Sequence, residues 1–203
     1  MAVCNENYIL AACLNDYLLV KININNGDYV QLVEYSEFNS IIVSDSSSCS
    51  LSIYNDIIYI GISQPFSDNK IKNAVIKLNI INKEDLTNGP TIDTSNKKLF
   101  IFPVEHKKTT TTRDISCETI VKSMTNEHKL LCVYENIDDS NKIVYLVSID
   151  FDSDDFENSN IVTQSNIENG FRLYKIDDNN LRLVLRKTVY EIYIDSNNIK
   201  YKK

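Results

Sequence analysis

Ile57-Ile58-Tyr59-Ile60-Gly61-Ile62, a polar gap, then Ala74-Val75-Ile76-Lys77-Leu78-Asn79-Ile80: the reading of this stretch decides the fold class. Both runs are dense in β-branched and aromatic residues, and the gap between them is polar, which is the patterning of two extended strands. The second run ends Lys77-Leu78-Asn79-Ile80. Similar endings recur as Lys21-Ile22-Asn23-Ile24, Val147-Ser148-Ile149-Asp150 and Glu191-Ile192-Tyr193-Ile194. From Ile24 through Ile80 and Ile149 to Ile194 the steps are 56, 69 and 45 residues, so the recurrence is irregular. A unit repeated at such intervals is usually one that cannot bury its own apolar face and stacks on a neighbour. The expectation is an all-β chain of tandem antiparallel meanders.

Working outward, strands are expected near Tyr8–Leu14, Tyr17–Ile24, Tyr29–Tyr35, Ser40–Val43, Cys49–Tyr54, Ile57–Ile62 and Ala74–Ile80. More follow near Leu99–Val104, Glu118–Met124, Lys129–Tyr134, Ile143–Asp150, Phe171–Ile176, Leu181–Lys187, Val189–Ile194 and Ile199–Tyr201. Asn25-Asn26-Gly27-Asp28 supplies residues tolerant of positive φ, as a tight reversal requires. Tyr54-Asn55-Asp56 and Asp177-Asp178-Asn179-Asn180 have similar turn chemistry. Three stretches interrupt the rhythm and read as loops: Asn82–Lys98, Glu105–Arg113 and the acidic Asp150–Asn160. The chain is expected to be a single domain, residues 1–203, with a seam at 105–113.

Composition bounds the function. Among 203 residues, 43% are hydrophobic, which is enough for a real core. The formal net charge is −7, and an acidic surface repels phosphate backbones, so nucleic acid is not an expected partner. No run approaches the length of a membrane span, so membrane insertion is not expected either. The chain holds 25 Asn and 27 Ile against 4 Arg and 4 Ala, a bias that points to an AT-rich genome and argues against reading any one surface Asn as a site. The first fifteen residues lack a basic start and an uninterrupted apolar run, and no Asn-x-Ser/Thr acceptor occurs. The compartment stays open: secreted or surface-associated if a leader was removed, cytoplasmic otherwise.

Candidate chemistry is sparse. Asp150, Asp152 and Asp154, with Asp155 and Glu157, have the alternate spacing that can wrap a calcium ion. The EF-hand pattern fails, since Asp155 stands where Gly is needed and Ile161 where the bidentate Glu belongs. A solvated, mutually repelling loop is the default and a calcium site the alternative. Cys4, Cys13, Cys49, Cys117 and Cys132 do not have zinc-knuckle spacing. They read either as buried thiols or as two hairpin disulfides, Cys4–Cys13 and Cys117–Cys132, with Cys49 left over. His106 and His128 read as exposed, and no phosphate loop, nucleophile elbow or zinc-protease motif occurs. No cofactor is expected. Tyr59, Tyr134, Tyr145, Tyr190 and Tyr193 stand in strands, where Tyr is a core or cross-strand residue before it is a binding hot spot.

Strand, turn, strand and long return, as in Ile57–Ile62 with Ala74–Ile80, Lys129–Asn136 with Ile143–Asp150, Leu181–Lys187 with Val189–Ile194 and Tyr8–Leu14 with Tyr17–Ile24, resembles the meander of a β-propeller blade. The absence of Trp and the scarcity of Gly set the chain apart from WD40 and kelch blades. Propellers of the semaphorin type and the cysteine-rich propellers of malaria invasion proteins can depart from those signatures, and the resemblance to them implies protein binding. Three or four such units barely close a ring, so a propeller fragment, half of a two-chain ring, or a β-sandwich are the alternatives. The functional expectation is a non-catalytic module of adhesin or receptor-binding type that binds a protein. A structural subunit covered by other chains of an assembly is the second reading, and a soluble enzyme of unrecognised type the third.

Overall fold

The computed structural model describes residues 2–14, 17–38, 48–65, 70–107, 115–121, 128–138, 141–150, 156–164, 171–185, 188–195 and 198–203. These form sixteen strands and one short 3₁₀ turn, Tyr35–Phe38. The strands are β1 (Ala2–Val3), β2 (Tyr8–Leu14), β3 (Tyr17–Asn23), β4 (Tyr29–Glu34), β5 (Ser48–Tyr54), β6 (Ile57–Pro65), β7 (Lys70–Ile81) and β8 (Thr91–Lys107). They continue as β9 (Ile115–Val121), β10 (His128–Asp138), β11 (Asn141–Asp150), β12 (Phe156–Gln164), β13 (Phe171–Lys175), β14 (Asn180–Leu185), β15 (Thr188–Asp195) and β16 (Asn198–Lys202). Consecutive strands pair antiparallel into four sheets of four, each in simple chain order. The fold is all-β, built of antiparallel meanders.

The recurring endings have one structural address. Lys21–Asn23 closes β3, Lys77–Ile80 lies near the end of β7, Val147–Asp150 closes β11 and Glu191–Ile194 lies near the end of β15. Each is the third strand of its sheet.

Three loop expectations are corrected. β8 begins at Thr91, so the connection after β7 is 82–90 rather than Asn82–Lys98, and β8 also takes in Glu105–Lys107. The acidic stretch gives way at Phe156 to β12. The expected strand Ser40–Val43 lies outside the described residues.

The chain divides into two compact units, Met1–Thr112 and Arg113–Lys203, the boundary falling within the Glu105–Arg113 stretch. In the first, sheets β1–β4 and β5–β8 share one core of Leu10, Leu18, Leu19, Val33, Phe38, Ile58, Ile60, Ile62, Ile76 and Leu78, with Cys4 at its margin. Strand alternation would let only one of Leu18 and Leu19 face that core. A bulge solves this: Tyr17 pairs with Glu34 but Leu19 with Val33, so Leu18 is the extra residue and both leucines are buried. In the second unit, Leu131 and Val133 of β10 pack with Leu173, Leu181, Leu183, Leu185 and Ile192 of the last sheet. The second strands β6 and β10 are buried on both faces along Ile58–Ser63 and Leu130–Val133. That is why they read as continuous apolar runs. Among the described residues no helix is long and apolar enough to cross a membrane.

Candidate functional site

In a meander, alternate connections return to the same end of the sheet. The turns after β1, β3, β5 and β7 therefore gather at one end of the first unit. Gly27, at φ 78°, and Asn55, at φ 51°, supply the positive φ that two of these reversals require. The β3–β4 turn closes by Asn23 N–H donating to Asp28 O at 2.8 Å, and Ile24 N–H donates to Asn7 O at 2.9 Å, joining that turn to the first one.

The loop 82–90 is held from within and from outside. Asp85 Oδ1 accepts from the N–H groups of Thr87 at 2.8 Å and Asn88 at 2.9 Å, and Gly89 N–H donates to Asp85 O. The bonds from Asn88, backbone first and side chain second, with the one from Thr87, hold the Asp85 carboxyl below its ordinary pKa. Four side chains of the first sheet then reach five loop carbonyls. Asn5 Nδ2 donates to Lys83 O at 2.7 Å, Asn7 Nδ2 to Leu86 O at 3.0 Å and Tyr8 Oη to Thr87 O at 2.8 Å. Lys21 Nζ donates to Asn88 O and, at 3.3 Å, to Pro90 O, and it lies 5.7 Å from the centre of the Tyr8 ring. Lys21 is only 9% exposed, so carbonyl dipoles and the ring face replace the water that its ammonium has lost. On the other side Lys83 Nζ donates to Asn55 O at 2.9 Å and sits 4.0 Å from Asp56 Oδ1.

This network leaves Ile24, Ile81 and Leu86 about half exposed on a fixed frame. Glu6, Asp28, Asp56 and Glu84 stand at the same end, with Lys83 among them, so its rim is acidic. Cys4 lies beneath, and burial raises its thiol pKa above the ordinary value, the opposite of activation. Among the described residues, no group of three or more His, Cys, Asp or Glu side chains could hold a metal ion.

Most of the candidates named from the sequence fall on residues or side chains outside the described ones. Asp150 ends β11 with its side chain outside the described residues, and Asp152 and Asp154 lie outside them altogether. Neither expected disulfide forms, because Cys4 and Cys132 are both buried thiols. Cys4 sits opposite Tyr8, its N–H donating to Tyr8 O, whereas Cys13 lies five residues further along β2. At about 3.4 Å per residue that is roughly 17 Å, against the 4.4–6.8 Å between Cα atoms that a disulfide spans. Cys117 and Cys132 do face each other in register across β9 and β10. Directly opposite residues hold their Cβ atoms about 4.5–5.5 Å apart, wider than the usual 3.8 Å of a disulfide, so bonding would pinch the ladder. Cys49, left over by the spacing argument, is instead disulfide-bonded. Peptide mapping without reduction is expected to recover Cys49 in a disulfide-linked peptide that reduction releases. Cys4 and Cys132 should take up an alkylating agent only after unfolding; rapid labelling of either in the native protein would contradict their burial.

Of the strand tyrosines, Tyr59 is core, Tyr190 packs against the second core and Tyr193 is exposed. Sequence reasoning missed Lys21, Tyr8, Asn5 and Gly89. A lone cation closing the apolar run Leu18-Leu19-Val20-Lys21 was the available signal.

No family model, curated protein or solved structure matches the chain.

Proposed function

We propose that this chain is a non-catalytic, protein-binding β module of adhesin or receptor-binding type, and that its partner meets the turn end of the first unit. The observation that carries the reading is the set of five loop carbonyls tied to the first sheet, which presents Ile24, Ile81 and Leu86 to solvent on a rigid frame. Binding residues concentrate on loops positioned by a scaffold, and an apolar centre with a polar rim is the usual anatomy of a protein interface. Each sheet, with its strands in simple chain order, has the topology of a propeller blade, which supports the propeller-like reading. Affinity capture with the wild type and an Ile24→Asp/Leu86→Asp variant is the test. A partner retained by the wild type and lost by a variant with an unchanged melting curve supports the reading. Equal retention by the two removes this end from the interface.

A further inference from the structure

Charge is distributed unevenly along this acidic chain. Residues 171–203 hold eight Lys and Arg against four Asp and Glu, whereas the whole chain holds 21 against 28. In β14 the alternation is clean: Leu181, Leu183 and Leu185 are buried, while Asn180 and Arg182 are exposed. The register then fixes what shares the outer face. Arg172 stands beside Val184, and Val184 beside Val189. In the next row Tyr174, Arg182, Glu191 and Lys202 lie side by side across the four strands. Below it Asn180, Tyr193 and Lys200 form a third row. Tyr174 is 52% exposed, Val189 47% and Tyr193 37%. Among the described side chains of these three rows, the face thus offers four cations, one carboxylate, and uncovered aromatic and aliphatic surface between them.

We propose that the outer face of the last sheet docks an acidic, extended polypeptide segment of a partner protein. Charge complementarity selects the sign of the ligand. The interruptions select its kind. A nucleic acid or sulfated polysaccharide presents a continuous row of anions and calls for an unbroken cation track, whereas Glu191 stands at the centre of this face and Val184 and Val189 fill one end. A peptide alternating carboxylates with apolar side chains matches both features. Three strand spacings of about 4.8 Å give a face roughly 14 Å wide, which is about the reach of three alternate side chains of an extended peptide laid across it. Arg182 is suited to grip a carboxylate in a forked pair. Its present partner is loose, since Arg182 Nη2 stands 3.6 Å from Glu191 Oε1 with both side chains about half exposed. An incoming carboxylate therefore competes with Glu191 for Arg182.

The test is titration of the full chain with a fluorescent peptide alternating Glu with Val and Tyr, beside heparin and single-stranded RNA at equal ionic strength. The peptide is expected to bind, to weaken as salt rises, and to lose about tenfold in affinity in an Arg172→Glu/Arg182→Glu variant, where attractions become repulsions. Glu191→Gln, which removes the competitor, is expected to bind several-fold more tightly. Should the double arginine variant fail to fold, Lys200→Glu/Lys202→Glu at the last strand carries the same reading. Absence of peptide binding, affinity indifferent to these reversals, or preference for heparin or RNA would overturn the proposal. None of these residues lies in the first unit, so failure here leaves the turn-end interface standing.

Discussion

Gly89→Ala should destabilise the first unit by about 2–5 kcal/mol, lowering its urea midpoint and its melting temperature. Two costs combine. Gly89 has φ 75°, a left-handed conformation that costs an L-residue about 1–2 kcal/mol. A Cβ there would stand 2.9 Å from the Tyr8 ring, and such overpacking typically costs a further 1–3 kcal/mol. The ring has little room to yield, because its hydroxyl is bound to Thr87 O and its face lies under Lys21. Gly27 provides the control: its φ is 78° but nothing stands within 4 Å of its Cβ position, so Gly27→Ala should incur the backbone cost alone. Equal losses at the two glycines would mean that the loop does not sit on Tyr8. Repeating Gly89→Ala in a Tyr8→Ala background should recover the difference, since the pair is coupled only through that contact.

That contact also marks where the sequence stops being legible. The donors to the loop are 67 to 79 residues away from the carbonyls they reach, and no local pattern records such a pairing. Gly89-Pro90 therefore read as mere punctuation, although it is a buried seat for a ring of the other sheet. The strands were readable wherever one face or both are buried. Ile57–Ile62 declares itself through β-branched density and Leu181–Leu185 through period-2 alternation. What was missed lies at sheet edges: β1, the first half of β8, and β12. An edge strand needs little apolar surface and is often charged or polar. Thr91-Ile92-Asp93-Thr94-Ser95-Asn96-Lys97-Lys98 is such a sequence, and its pairing of Ile92 with Ile80 and Asp93 with Asn79 left no signal beyond Ile92 itself. The candidate surfaces were illegible for a related reason. Arg172, Arg182 and Lys202 are scattered in the chain, and only the register of three hairpins sets them in adjoining rows.

Register also makes the last expectation a sharp one, because neighbouring residues of β14 should differ by an order of magnitude. Leu183→Ala is expected to cost the second unit about 2–5 kcal/mol, the usual range for emptying a leucine site in a core. Leu183 is fully buried, paired with Leu173 on one side and Tyr190 on the other, and it belongs to the cluster through which β10 meets the last sheet. Against a typical domain stability of about 5–15 kcal/mol, that loss should shift the denaturation midpoint of the unit severely. Arg182→Ala, one residue earlier, removes a half-exposed side chain that stands 3.6 Å from Glu191 in a loose ion pair, and should stay within about 0.5 kcal/mol. Urea unfolding followed by tyrosine fluorescence or circular dichroism reads both. If the two substitutions cost the same, the strand has slipped by one residue, the arginines turn inward, and the basic outer face ceases to exist as a surface. If they differ as expected, Arg182 can be changed without disturbing the scaffold, which is what a charge-reversal test of that face requires.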